Sequence, residues 1–285
     1  MTQLGFIEIT RRFDNSPEEV FAAWTDPAIA GQWLMTSPNS EAHHHETDLR
    51  VGGKWTIRDR RDGTDYVAIG EFLELDPPRK LVFTFGMPQF DPGFNTVTVL
   101  IEPDGDGAIM TLIQEGIPLE TREPLRHGWT LMFNGLMVAL PPRHKVVVTR
   151  DLDATPDEVY IAFTDLETMR RWMGQAVEAQ VEPGGRYAIR TDTGDDRYTM
   201  MVGTYLALVP GKRIIFTFSA GPSDDPETGS PYVDQHVIID LEPLQGDRTR
   251  LTLTHGWGGE GHDEEGMRET AKGWNWWIDR LEGSL

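Results

Sequence analysis

The feature that most limits what this chain can fold into is that it occurs twice. Residues 9–35, "ITRRFDNSPEEVFAAWTDPAIAGQWLM", align without a gap to residues 148–174, "VTRDLDATPDEVYIAFTDLETMRRWMG". Thr10, Arg11, Asp14, Pro17, Glu19, Val20, Ala23, Thr25, Asp26 and Trp33 recur as Thr149, Arg150, Asp153, Pro156, Glu158, Val159, Ala162, Thr164, Asp165 and Trp172. The match continues in order. "VGGKWTIR" (51–58) pairs with "PGGRYAIR" (183–190), "GEFLELDPPRKLVFTF" (70–85) with "GTYLALVPGKRIIFTF" (203–218), "VTVLIEP" (97–103) with "VIIDLEP" (237–243), and "GWTLMFNGL" (128–136) with "GWNWWIDRL" (273–281). A period of roughly 140 residues is domain-sized and far too long for a solenoid. The stiff pair Pro141-Pro142 cannot continue a helix. Two domains of one fold, 1–141 and 142–285, are therefore expected.

Within each unit the pattern changes once. Ser16-Pro17-Glu18-Glu19 and Thr155-Pro156-Asp157-Glu158 are capping boxes with proline at the first helical position, and each starts a short helix. A Thr-Asp break precedes a second short helix, ending at Trp33 or Trp172. After that the apolar period becomes two, in "KWTIRDR", "VAIGEFLEL", "KLVFTFGM", "NTVTVLIE" and "AIMTLIQ". "DPPRK" and "VPGKR" read as tight turns between adjacent strands, so the sheet is antiparallel. The pairs Gly52-Gly53 and Gly184-Gly185 enter strands where a bulge or sharp bend is expected. One long helix closes each unit, roughly 122–140 and 262–283. Trp129, Met132, Phe133, Leu136 and Leu140 share one face of the first. Trp274, Trp277, Ile278 and Leu281 share one face of the second. The parts predict an α+β chain of two tandem domains, each with two short helices after the first strand. In each, a bent antiparallel sheet of about six strands wraps the long C-terminal helix.

Composition narrows the function classes. The formal net charge is −20 and the pI near 4.7. Phosphate backbones and anionic membranes need clustered Lys and Arg, so nucleic acid is not an expected partner. There is no cysteine, which removes disulfides, thiol catalysis and cysteine-ligated metal. "MTQLGFIEITRRF" shows no secretory signal pattern, and no apolar run approaches a membrane span. A cytoplasmic protein without membrane insertion is the expectation.

These ordered motifs carry a resemblance. "PEEVFAAWTDP", the following Trp33, "DLRVGGKW", "GEFLELDPPRKLVFTF", a strand ending "QEG" and the final "GW…L" helix look like the heat-shock-protein-90 ATPase activator homologue-like family. That family lies in the START-like (SRPBCC) superfamily of helix-grip folds. The resemblance covers nearly the whole chain as two tandem copies. The second departs from the pattern, with "THGWGGEGHDEEG" in place of "QEGIP" and a longer loop, "AGPSDDPETGSPY". The resemblance implies a deep, mostly apolar cavity under the C-terminal helix. Superfamily members bind lipids, hormones and polyketides there, and some catalyse cyclisation or hydrolysis. The family name also suggests a chaperone partner, although the eukaryotic activator joins one such domain to a differently folded one.

Candidate ligand-binding residues follow. In the first unit they are Trp33, His44, Trp55, Phe83, Phe85, Met110, Gln114, Trp129 and Phe133. In the second they are Trp172, Tyr187, Phe216, Phe218, His236, His255, Trp274 and Trp277. A few polar groups among aromatics suit orientation of an apolar ligand. His127 and Tyr198 are further polar candidates. The histidines also fit acid–base catalysis of a polyketide-like or aromatic substrate. In "EAHHHETD" (41–48) His43 and His45 share one strand face with Glu41, and His44 takes the other or points into the cavity. Without a third strong ligand, no metal is expected. "HGWGGEGHDEEG" (255–266) lacks the P-loop Lys-Ser/Thr and reads as a loop entering the last helix, so no cofactor is expected. No nucleophilic triad suggests itself. Trp276 lies about 200° around the helix from Trp274, near Lys272 and Arg280. It is expected to pack outside the cavity, against "AGPSDDPETGSPY" or between the two units.

Overall fold

The computed structural model describes residues 4–36, 40–174, 176–194, 197–222, 235–257 and 263–285. The chain divides into two compact units, Met1–Pro141 and Pro142–Leu285.

The first unit begins with β1 (Leu4–Phe13), α1 (Pro17–Thr25) and α2 (Pro27–Ala30). The strands β2 (Ser40–Thr47), β3 (Lys54–Arg61), β4 (Thr64–Asp76), β5 (Lys80–Phe85), β6 (Asn95–Asp104) and β7 (Gly107–Pro118) follow. A short 3-10 turn leads into α3 (Arg122–Ala139). Counting β1, the sheet has seven antiparallel strands in the order β1-β7-β6-β5-β4-β3-β2. The consecutive hairpins put β2 at one edge, and the pairing of β1 with β7 makes the other.

The second unit repeats this. It consists of β8 (Lys145–Leu152), α4 (Pro156–Thr164), α5 (Leu166–Trp172), β9 (Ala176–Ala179), β10 (Arg186–Gly194), β11 (Arg197–Val209), β12 (Arg213–Pro222), β13 (Gln235–Leu244), β14 (Arg248–Trp257) and α6 (Glu264–Glu282). Its sheet runs β8-β14-β13-β12-β11-β10-β9. This is an α+β fold of two helix-grip halves. The sequence placed 255–257 in a loop, but these residues complete β14, because His255 pairs with Val146 and Val237. Residues 258–262 and most of "AGPSDDPETGSPY" lie outside the described residues. No helix among the described residues is long and apolar enough to cross a membrane.

Local chemistry explains the matching elements. Ser16 Oγ accepts from Glu19 N at 3.4 Å while Ser16 N donates to Glu19 Oε2 at 2.8 Å. Thr155 and Glu158 repeat both bonds at 3.3 and 2.8 Å. Each box satisfies helix-start donors that would otherwise be orphaned. Gly52 and Gly184 sit at φ +79° and +86°, a left-handed turn that favours glycine. Their amides donate back into the sheet, to Phe72 O and Tyr205 O. Register shifts in β4 at Phe72/Glu74 and in β11 at Tyr205/Ala207 mark where each sheet bends. Just before each bend, Gly70 and Gly203 leave room for another strand: a Cβ there would lie 1.8 and 1.9 Å from Thr84 O and Thr217 O. The bends turn the apolar faces of β3–β6 and β10–β13 toward the long helices. Trp129, Phe133, Leu136 and Met137 meet the first sheet, and Trp274, Ile278 and Leu281 meet the second.

Candidate functional site

Each unit has a hollow beneath its long helix. The first is lined by Trp24, Leu34, His45, Trp55, Ile57, Phe72, Leu81, Phe83, Phe85 and Trp129. The second is lined by Phe163, Met169, Met173, Tyr187, Ile189, Met201, Tyr205, Ile214, Phe216, Phe218 and Trp274. Each spans ≈ 370 Å³ of space between atoms, open solvent included, of which only ≈ 20 Å³ admits the centre of a water molecule. That is room for about one water. Sites for drug-sized ligands hold roughly 300–1,000 Å³, so a bound molecule would have to part the lining side chains.

Eight of the sequence candidates line these hollows: Trp55, Phe83, Phe85 and Trp129 in one, Tyr187, Phe216, Phe218 and Trp274 in the other. Trp33 and Trp172 do not. They are fully buried struts whose indole N–H groups donate to Ala23 O at 3.0 Å and Ala162 O at 2.8 Å. Met110 lies behind Trp24, whose Nε1 is 3.2 Å from its sulfur. Phe133 packs behind the hollow against Trp24 and Trp129. Trp277 points off the lining to meet Trp172 at 6.1 Å.

Four polar candidates sit elsewhere than expected. His44 faces solvent and pairs with Glu46 at 2.9 Å, because the pleat turns His43 and His45 inward instead. A register shift between Ser40 and Ala42 takes Glu41 off their face, and it meets Gly63 N instead. Among the described residues no group of three His, Asp or Glu could hold a metal. His127 is exposed. Tyr198 lies against the Arg190 guanidinium, 4.1 Å from its ring centre. His236 is buried, but strand alternation puts it on the sheet face opposite the hollow, beside Gly256.

Gln114 and His255 hold equivalent places behind the roof tryptophans. Trp129 Nε1–H donates to Gln114 Oε1 at 2.7 Å, and Gln114 Nε2 donates to Asn95 Oδ1 at 3.2 Å. In the second unit Trp274 Nε1–H donates to His255 Nδ1 at 2.8 Å, and His255 Nε2–H reaches Gln235 Oε1 at 2.8 Å. The donor Trp274 fixes the neutral Nε2–H tautomer of His255. Burial, and then His236, lower the His255 pKa to about 3.

Sequence reasoning missed Trp24, the centre of the first aromatic cluster, and its counterpart Phe163. The i, i+3 spacing of Phe21 and Trp24 was a usable signal for a buried helix face. It also chose His44 over His45. The first hollow carries two buried polar atoms without a hydrogen-bond partner, Trp55 Nε1 and His45 Nδ1, and His43 Nε2 on the same strand face is a third. Burial, then the neighbouring His43 and His44, hold the His45 pKa below the ordinary histidine value. His43 itself contacts the fully buried Asp59 at 3.3 Å, and Asp59 is also paired with Arg61.

The family described as Activator of Hsp90 ATPase homolog 1-like protein matches residues 14–140 and again 153–285. The chain belongs to this family. Its tandem match covers both units, hollows included. Among solved structures, protein CV1439 from Chromobacterium violaceum is 28% identical, over 46% of this chain and 93% of that one, with a TM-score of 0.41. Mll3558 from Rhizobium loti is 27% identical, over 50% and 96%, at 0.40. The Aha1 dimer from Colwellia psychrerythraea is 18% identical, over 50% and 95%, at 0.39. No curated protein matches the chain.

Proposed function

We propose that the chain binds a small hydrophobic or amphipathic molecule between sheet and C-terminal helix. The observation that carries this reading is the aromatic-lined hollow beneath the long helix, present in both units of the chain. The small clear space means that binding displaces side chains. Met169, Met173 and Met201 suit this in the second unit, because methionine adapts its shape readily. Native mass spectrometry of freshly purified protein tests the reading. A bound small molecule that survives gentle ionisation supports it; bare chain alone, even after incubation with apolar probes, defeats it.

General acid–base catalysis finds less support. His44 and His127 face solvent, and His255 has both nitrogens engaged. The family's description favours a second reading, association with a chaperone. A pull-down recovering no stable protein partner would count against it.

A further inference from the structure

The two hollows are not equivalent in their polar chemistry. Trp55 and Tyr187 occupy the same place in the repeat, one residue into β3 and β10. Tyr187 is satisfied from within the protein: its hydroxyl donates to Thr217 O at 2.8 Å. The Trp55 indole N–H is buried and donates to nothing. The roof tryptophans of both units are likewise satisfied, through Gln114 and through His255. Among the described residues, no buried polar atom lining the second hollow lacks a partner.

The unpartnered atoms of the first unit are grouped. Trp55 faces Thr47 across the β2–β3 pair, and His45 faces Ile57, two residues along the same face. His43 follows, opposite Asp59. One inner sheet face therefore carries Trp55 Nε1, His45 Nδ1 and His43 Nε2 in sequence, all buried and all free. Native proteins leave few buried polar groups unpaired, and each such group calls for a reason. An indole N–H can only donate, and neutral imidazole can donate at Nδ1 when Nε2 is bare. Both therefore suit a ligand atom that accepts.

Resting on the binding function proposed above, we infer that the ligand site is in the first unit and selects a flat apolar molecule carrying a carbonyl or hydroxyl oxygen, accepted between Trp55 Nε1–H and His45 Nδ1. The aromatic walls, among them Phe83 and Phe85, take the apolar body. The second hollow, whose Tyr187 and Trp274 donors are already bonded within the protein, offers no such pair of free donors. A carboxylate is a poorer occupant, because no Lys or Arg lines the hollow and the chain carries a net charge of −20.

The test uses the full chain and two fluorescent probes. One is Prodan, a dimethylaminonaphthalene bearing a propionyl ketone, whose emission responds to hydrogen bonding at its oxygen. The other is the same naphthalene with a propyl group in place of the ketone. The wild-type chain should favour Prodan by about tenfold, the worth of roughly one hydrogen bond. Trp55→Phe, and independently His45→Leu, should erase that preference; because both side chains line the hollow, affinity for the propyl probe falls as well, and the ratio of the two affinities isolates the oxygen contact. Tyr187→Phe should change neither affinity. Equal wild-type binding of both probes overturns the oxygen recognition but leaves the binding function standing. Loss of the preference in Tyr187→Phe and not in Trp55→Phe moves the site to the second unit and also overturns the inference. Binding of neither probe, with no co-purified molecule by native mass spectrometry, removes the binding function and the inference with it.

Discussion

The indole N–H of Trp129 donates to Gln114 Oε1 at 2.7 Å, both side chains buried beneath α3. The second unit makes the same connection from Trp274 to His255. An amide and an imidazole have exchanged places without loss of the contact, because both offer an acceptor to the indole and a donor to the strand behind. The bond anchors the long helix at its aromatic roof. Gln114→Leu would leave the Trp129 N–H buried and unpaired, a loss of about 1–3 kcal/mol. Adding Trp129→Phe should recover part of that loss, since both polar partners are then gone. Urea unfolding of the two single variants and the double completes the cycle; strict additivity would show that the bond contributes nothing.

The second unit should be the more acid-sensitive half. His236 and His255 are buried and neutral, with pKa values lowered to about 4 and about 3, in both cases mainly by burial. Their unfolded-state values lie near 6.5. Between those limits the unfolded chain binds more protons, so stability present above pH ~6.5 is lost as the pH falls through the folded values. For His236 alone the loss is on the order of 3 kcal/mol. The first unit has Thr96 at this position. His236→Thr should therefore shift acid unfolding to lower pH with little change at neutral pH. An unchanged acid midpoint would mean that His236 is protonated or hydrated in the folded protein.

The strand crossing at Gly70 gives a steric prediction. A Cβ there would lie 1.8 Å from Thr84 O and 2.5 Å from Trp55 Nε1. Backbone cannot yield to such an overlap without moving β5, so Gly70→Ala should cost at least about 1–3 kcal/mol, as for an overpacked core. Gly63→Ala is a useful control for clash, since nothing lies within 4 Å of a Cβ there and only its φ of +73° opposes it. Thermal unfolding should rank Gly70→Ala below Gly63→Ala. The reverse order would mean that backbone dihedral, and not contact, sets the need for glycine at these bends.

Much of the fold is legible in the chain because it is written twice. Capping boxes, glycine pairs and hairpin turns are local signals, and their recurrence fixed element order without any long-range information. The aromatic walls at Phe83, Phe85, Phe216 and Phe218 follow from strand alternation alone. What failed was the choice between neighbours. His44 against His45 is a one-residue question of pleat, and a bulge at Ser40/Ala42 shifts the phase that sequence counting assumes. His236 is likewise one residue out of phase, since its neighbour Gln235 is the one that faces the roof. Trp33 and Trp172 read as cavity residues because they are large, apolar and repeated. Only the bonds to Ala23 and Ala162 reveal them as struts.

Trp276 and Trp277 separate two roles on one helix. Trp276 lies off the hollow, as its helical angle implies, yet it remains 48% exposed. Its ring meets Trp277 edge-on at 4.9 Å, and the Arg280 guanidinium sits 4.9 Å from its centre. Arg280 also donates from Nε to Trp172 O at 2.7 Å, so this outer stack ties the end of α6 to α5. An exposed cation–π contact is worth about 0.5–1 kcal/mol, and an aromatic pair adds about 0.5–1.5 kcal/mol. Trp276→Ala should therefore lower stability by about 1–2 kcal/mol, toward the low end of losses for a buried aromatic. Trp277→Ala should cost more, because its ring is mostly buried against Trp172. Neither side chain lines the second hollow, so neither substitution should alter probe binding by more than about twofold, well under the worth of one hydrogen bond. Urea midpoints and probe titrations on the same preparations check both halves of this statement. A binding loss in Trp276→Ala larger than in Trp129→Ala would place the recognition surface outside the helix–sheet hollow.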